Sequence, residues 1–364
     1  MSLPQPKSGV MLIKPYVAGK SKASGSAQKI IKLSSNENNL GPSPHAIKAI
    51  IEHAPKANRY PDGSAAELRQ AIGEVHGIDP DRIVCGAGSD ELIGLLIHAY
   101  AGAGDEVLYS QYGFLMYNIY SQAAGATPVT APEKNLTADV DALLAKVAPQ
   151  TRIVFLANPN NPTGSYLPAS EIKRLREKLP SHVILAIDGA YTEYVDRPDY
   201  TDGQELVDST SNTVMLRTFS KIYGLSSLRL GWGYFPPAIA DALNRIRSPF
   251  NVSAVAQAAG IAALKDTKYT QHSKEHNAKW LKIVSDEVKA LGLTVHPSVA
   301  NFILVEFAKS GAKTAEAANN FLMSRGIIPR DTVGYGLPDC LRVTIGTEEE
   351  NAALLKALKE FVTN

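Results

Sequence analysis

The sequence predicts an α/β protein in which a large domain built on a mostly parallel sheet is followed by a smaller α+β domain. Three observations carry this expectation. From Arg82 to Arg247, short apolar runs alternate with stretches of helical periodicity. Several runs, Ile153 to Ala157 and Val183 to Ile187 among them, are apolar at consecutive positions, as strands are when helices cover both faces of a sheet. After Pro249 the alternation gives way to a long helical stretch and then to strands and helices in another rhythm, so a boundary is expected there.

A chain of 364 residues has room for a large core and a second, smaller one. With 45% hydrophobic and 20% charged residues the composition is that of a globular protein. A net charge of +1, with no basic run interleaved with aromatics, leaves no electrostatic footprint for nucleic acid or an anionic membrane. Cys85 and Cys340 are the only cysteines and both stand in strand-like contexts, which argues against a disulfide framework. No apolar run has membrane-spanning length, the first residues lack a signal-peptide core, and a soluble cytoplasmic protein is expected.

Residues 1 to 29, rich in Lys, Ser, Gly and Pro, read as an arm. Gly19-Lys20-Ser21 imitates the end of a phosphate-binding P-loop, but Lys14 stands where the motif needs glycine and no strand precedes it. Ile30 to Leu33 is a short strand, Ser34 to Pro44 a loop of turn formers, and Ser43 caps a helix that Pro44 opens and that runs to Glu52. The turn Arg59-Tyr60-Pro61-Asp62-Gly63 leads into a helix over Ala65 to His76. The expected division is an arm over 1–29, a small domain from 30–50 and 250–364, and a large domain over 51–249.

Arg82 to Gly86 is a strand and Ala87-Gly88-Ser89 a tight turn before a helix over Asp90 to Tyr100. Such a turn offers free backbone N–H groups and the positive end of a helix dipole to a phosphate. A dinucleotide fingerprint is excluded because Glu91 stands where its third glycine belongs. Further strands end in polar loops, where ligands of parallel sheets sit. Tyr112 follows Val107 to Ser110, the loop Asn158 to Gly164 follows Ile153 to Ala157, and Asp188 closes Val183 to Ile187, with Tyr191 three residues on. Lys221 lies just beyond Val214 to Leu216. Singly these are ordinary, since Asp caps helices and Asn-Pro pairs make turns. Together they supply an aromatic platform, an amide, a carboxylate and an amine, the groups that hold a pyridine aldehyde. Apolar surroundings disfavour the ammonium form of Lys221 and favour the nucleophilic amine. Arg229, eight residues on and also in apolar company, suits a phosphate with its fork of donors.

Beyond Pro249 a helical stretch from about Ala254 to Leu291 precedes strands at Asn301 to Phe307, Ile327-Ile328 and Cys340 to Ile345, with helices at Ala312 to Arg325 and Glu348 to Val362. His272-Ser273-Lys274-Glu275-His276 spells a zinc signature, but its polar flanks read as a solvated helix face, and no metal is expected.

Pro15-Tyr16, Asn36-Glu37-Asn38, Arg59 to Gly63, Gly86 to Glu91, Tyr112, Asn158 to Gly164, Asp188, Tyr191, Ser220-Lys221, Arg229 and Cys340-Leu341-Arg342 together resemble the histidinol-phosphate aminotransferases, over nearly the whole chain. The Asn-Pro loop and the Ser-Lys segment are shared with many class I and II aminotransferases; Pro15-Tyr16, Tyr60-Pro61-Asp62 and Cys-Leu-Arg point more narrowly. The resemblance implies the fold of type I pyridoxal-phosphate (PLP) enzymes, with a mostly parallel seven-stranded sheet. It implies that Lys221 carries the cofactor as a Schiff base, Tyr112 stacks on the ring, Asp188 faces the ring nitrogen, and Asn161 and Tyr191 bind the phenolic oxygen. Ala87, Gly88, Ser89, Ser220 and Arg229 would hold the phosphate, with Tyr60 arriving from a neighbouring subunit of a homodimer. Substrates would be held by Asn36, Asn161, Arg330 and Arg342, with Tyr16 of the partner helping. The implied reaction exchanges an amino group between the pairs glutamate/2-oxoglutarate and histidinol phosphate/imidazole acetol phosphate. An aromatic amino acid aminotransferase, a PLP-dependent phosphothreonine decarboxylase and a non-catalytic binding protein are the rival readings.

Overall fold

Strands that must pair on both sides and pack on both faces need apolar residues at every position, and Thr151–Ala157 shows the result. Ile153 and Phe155 point into one core, with Leu92, Leu96, Tyr117 and Leu243, while Val154 and Leu156 point into another, with Val140, Leu143, Ile172 and Leu175. Each such side chain removed from water contributes about 2 kcal/mol. The helices Ser89–Tyr100, Leu115–Ala124 and Pro237–Ile246 cover the first face, and Val140–Lys146 and Ala169–Lys178 the second.

The computed structural model describes residues 4–7, 9–17, 19–20 and 30–363. Much of the expected arm, including Ser21 of the P-loop imitation, lies outside the described residues. Seven strands form the large sheet in the order Ile83–Gly86, Gly231–Tyr234, Thr213–Thr218, Ile184–Asp188, Thr151–Ala157, Glu106–Ser110 and Thr127–Ala131. Neighbours run parallel except at Gly231–Tyr234, which is antiparallel to both its partners. The cause is local. Between Thr218 and Gly231 there is no crossover helix, so the chain returns beside the strand it has just left. Gly231 thereby pairs with Thr218 on one side and Gly86 on the other, which brings the lysine loop against the glycine turn.

A second core gathers Trp280, Val284, Ile303, Leu341, Leu354 and Phe361. Its antiparallel sheet has the order Thr294–His296, Phe302–Glu306, Cys340–Thr344, Arg330–Asp331. Ile31–Lys32 pairs in parallel with Ile327–Ile328 and ties the early chain to this unit.

The helical stretch expected from 254 to 291 is two helices, Ala254–Lys265 and Thr267–Ala290. Asp266 separates them, its side chain accepting the Tyr269 N–H at 3.2 Å. The apolar pattern runs through the break because the two halves serve different cores. Ala256, Ala259 and Ala263 pack with Leu68, Phe219 and Leu230 of the large unit, whereas Trp280, Val284 and Val288 face the small one. Pro44–His53 also packs on Ala254–Lys265. The change of core thus falls at Asp266 rather than at Pro249. His276 Nε2 of the zinc imitation lies 2.9 Å from the Gly346 carbonyl. No helix among the described residues is long and apolar enough to cross a membrane.

Candidate active site

At the carboxyl ends of the central strands lies a cavity of about 460 Å³, a size suited to a small organic ligand. One end is built by the glycine turn. Gly88 has φ 88°, which suits glycine, and a methyl group there would stand 2.6 Å from Arg229 Nη2. The helix Ser89–Tyr100 starts at the cavity without a side-chain cap, so its first N–H groups are available to an anion. Glu91 steadies the turn, accepting the Ala87 N–H at 2.6 Å and Asn251 Nδ2 at 2.9 Å. Ser89, Ser220, Ser226 and Arg229 line the same end.

In the middle lie the amine and the carboxylate. Lys221 Nζ donates to the Ser35 carbonyl at 3.1 Å and sits 5.6 Å from the centre of the Tyr191 ring. Burial, then the guanidinium of Arg342, brings its pKa down to about 7, so the free amine is populated at neutral pH. Asp188, 5% exposed, accepts from Tyr117 Oη at 2.8 Å through Oδ2. Its Oδ1 is buried with no partner among the described residues, and burial is the main reason its pKa rises to about 6. Tyr191 is held by Asn36 Nδ2, which donates to its hydroxyl at 2.9 Å, and burial raises its pKa well above the usual phenol value. Asn36 itself adopts φ 55° and is fastened by Thr344 and Asn301.

The third side is basic. Arg330 and Arg342 stand opposite each other on paired strands, both almost fully buried. Arg342 donates to Asn161 Oδ1 and, at 2.7 Å, to the Ser34 carbonyl, while its Nε is buried without a partner. Arg330 donates to the Val17 carbonyl at 2.8 Å and lies 5.9 Å from the Tyr16 ring. Two like charges face to face repel, and an anion between them relieves this.

The site fits the group the sequence resemblance implies. An unpartnered buried carboxylate oxygen awaits a ring N–H, a low-pKa amine awaits an aldehyde, and a glycine cradle with an open helix end awaits a phosphate. Of the expected residues, Tyr16, Asn36, Gly88, Ser89, Asn161, Asp188, Tyr191, Ser220, Lys221, Arg229, Arg330 and Arg342 line this cavity. Ala87 belongs to the turn through its carbonyl, 3.4 Å from Arg229 Nη2. Three expectations change. Phe114, not Tyr112, lines the cavity, and the Tyr112 ring instead approaches Gly336. Arg229, with a left-handed backbone at φ 52°, is exposed rather than enclosed among its apolar neighbours. Tyr16 reaches the cavity from the same chain, carried there by the segment bound to Arg330. Tyr60 lies outside the cavity of its own chain, 83% exposed and stacked on Phe250 at 4.5 Å. Sequence reasoning missed Phe114, Ser226, Asp90 and Tyr117; only the i, i+3 spacing of Tyr117 and Tyr120 hinted at paired phenols on one helix face.

Residues 28–358 match the family model for aminotransferase class I and II. The chain is 59% identical to a histidinol-phosphate aminotransferase of Paramagnetospirillum magneticum over 100% of this chain and 99% of that protein. It is 55% identical, with the same coverage, to one of Rhodospirillum centenum. Among solved structures, the histidinol-phosphate aminotransferase of Sinorhizobium meliloti in complex with pyridoxal-5'-phosphate superposes with a TM-score of 0.90 at 31% identity, covering 100% of this chain and 99% of that one. A half-buried low-pKa lysine sharing a cavity with an aspartate whose Oδ1 has no partner among the described residues, set in a sheet of this topology and in a sequence of this kinship, makes the chain a member of the class I and II aminotransferase family, among the histidinol-phosphate aminotransferases.

Proposed function

We propose that the chain is a PLP-dependent aminotransferase that interconverts L-histidinol phosphate plus 2-oxoglutarate with imidazole acetol phosphate plus L-glutamate, as a step of histidine biosynthesis. One observation carries this reading. Lys221, its pKa brought down to about 7 chiefly by burial, shares a cavity with Asp188, whose Oδ1 has no hydrogen-bond partner among the described residues. When bound, PLP supplies an aldehyde that takes up an amine and a ring that accepts the electrons left at the substrate α-carbon.

The residues do the rest. Lys221 would hold the cofactor through its amine and, when that amine is free, would take the proton from the substrate α-carbon and return it as general base and acid. Asp188, ionised above about pH 6, offers Oδ1 to the ring nitrogen and keeps a proton there. Tyr191 and Asn161 bind the phenolic oxygen, and Tyr191 stays protonated because its pKa is raised. Ser89, Ser220, Arg229 and the backbone from Ala87 hold the phosphate. The histidinol phosphate pair carries a phosphate where the glutamate pair carries carboxylates. Arg330 and Arg342 suit either, with Tyr16 and Asn36 beside them.

The reading includes a cytoplasmic homodimer in which Tyr60, exposed and away from its own cavity, reaches the phosphate end of the neighbouring subunit. The decisive experiment compares histidinol phosphate, tyrosine and phenylalanine as amino donors to 2-oxoglutarate. Turnover led by histidinol phosphate is the expected result, and a preference for the aromatic amino acids overturns the substrate assignment. Lys221→Ala is expected to abolish turnover and the covalent attachment that borohydride reduction and peptide mass spectrometry detect in the wild type. Attachment at another lysine sinks the assignment of Lys221.

A further inference from the structure

The helix Leu115–Ala124 carries two tyrosines one turn apart, and each binds a carboxylate of the cavity. Tyr117 Oη donates to Asp188 Oδ2 at 2.8 Å, and Tyr120 Oη donates to Asp90 Oδ2 at 2.8 Å. In both carboxylates the remaining oxygen, Oδ1, is buried without a partner among the described residues. The i, i+3 spacing puts the two phenols on one face of the helix. Gly94 makes the room that Tyr120 uses, since a methyl group there would stand 3.3 Å from the ring. Tyr117 is fully buried, stacked on Phe155 at 4.6 Å with an interplanar angle of 9°, and meets the edge of Phe114 at 5.9 Å. Its ring is therefore fixed from two sides, and its hydroxyl has one place to go.

We infer that Tyr117 is a positioning residue of the aminotransferase reaction: by donating to Oδ2 of Asp188 it sets the plane of the carboxylate and reserves Oδ1 for the ring nitrogen of the cofactor. This rests on the proposed PLP reading, and it adds a group that acts only through Asp188. A phenol suits the task because burial and the neighbouring carboxylate push its own pKa far above the usual value, so it donates at every working pH. The groups facing Asp188 are Tyr117 from this helix, Asp90 from the helix Ser89–Tyr100, Lys221 from the loop after Thr213–Thr218, and the Ala190 N–H of its own loop. Burial and Asp90 favour the neutral carboxyl; Tyr117, Ala190 and Lys221 favour the carboxylate. Among the groups that favour the charge, Tyr117 acts most strongly. Loss of its hydroxyl leaves a second buried oxygen without a donor, so Asp188 keeps its proton to higher pH. A neutral carboxyl then faces the ring nitrogen with nothing to hold a proton on it.

The test is Tyr117→Phe, which removes one oxygen and leaves the ring between Phe155 and Phe114. In the apoprotein, infrared titration of the Asp188 carboxyl, assigned with Asp188→Asn, is expected to move from a midpoint near 6 upward by about one unit. Tyr120→Phe, which strips Asp90 instead, is expected to give no upward move. In the loaded enzyme, kcat of Tyr117→Phe is expected to fall about tenfold with KM changed by less than about twofold. In an Asp188→Asn background the same substitution is expected to cost nothing more. An unmoved apoprotein midpoint overturns the inference, as does a tenfold loss that persists in Asp188→Asn, which marks a packing role. If Tyr117→Phe does not fold, 3-fluorotyrosine placed at position 117, a stronger donor, is expected to lower the midpoint, and an unchanged midpoint again overturns it. The titration needs no cofactor, so a failure of the PLP reading shows separately, as a wild type without turnover.

Discussion

Lys221 and Asp188 pull on each other's protons from a distance, and burial opposes the charge of both. An amine brought to about 7 and a carboxylate brought to about 6 are both in their deprotonated forms above about pH 7, the first free to react and the second ionised. The roles are unequal. On the proposed reading the amine would make and break a bond, whereas the carboxylate would only keep a charge where electrons must flow. Asp188→Asn preserves shape and loses that charge, so it is expected to bind the cofactor and yet lose rate by about a hundredfold or more. Equilibrium titration of the cofactor beside single-turnover kinetics measures both, and full activity in the variant would remove the electron-sink role from Asp188.

Between single groups and the whole chain, the phosphate end depends on two backbones meeting. The strand Gly231–Tyr234 returns antiparallel, and its first residue lies between Thr218 and Gly86, so the lysine loop and the glycine turn close on one volume. Gly88 leaves that volume open. Its φ of 88° strains any other residue, and a side chain would collide with the guanidinium of Arg229. Gly88→Ala is expected to weaken cofactor binding about tenfold while leaving the apoprotein secondary structure intact, as read by fluorescence titration and circular dichroism. Undiminished affinity would place the phosphate elsewhere.

For the molecule as a whole, the cavity has a cost in stability that pH reveals. Lys221 titrates near 7 when folded and near its ordinary 10.5 when unfolded, so between these values the unfolded chain binds more protons. The cost is therefore present in full below about pH 7 and disappears as pH rises toward 10.5, so stability increases with pH across this window. Lys221→Met removes this dependence. The Tm of the wild-type apoprotein relative to the variant is expected to rise by roughly 5 °C between pH 7 and 10, followed by scanning calorimetry. A flat difference would mean that the amine is solvated in the folded state.

What residue order alone determined was local. Strand and helix types, the capped start at Ser43, the glycine turn and the strand-end placement of Asp188 and Lys221 follow from periodicity, turn chemistry and the topology of parallel sheets, which neighbouring residues set between themselves. Tertiary structure decided whatever depends on segments far apart in the chain. It chose Phe114 over Tyr112, turned Arg229 outward, placed the change of core at Asp266 and joined Tyr117 to Asp188 across 71 positions. An apolar stripe says that a face is buried but not against which core, and a tyrosine in a helix says nothing of the acid it will meet; both are settled only when the sheet brings its strands into register.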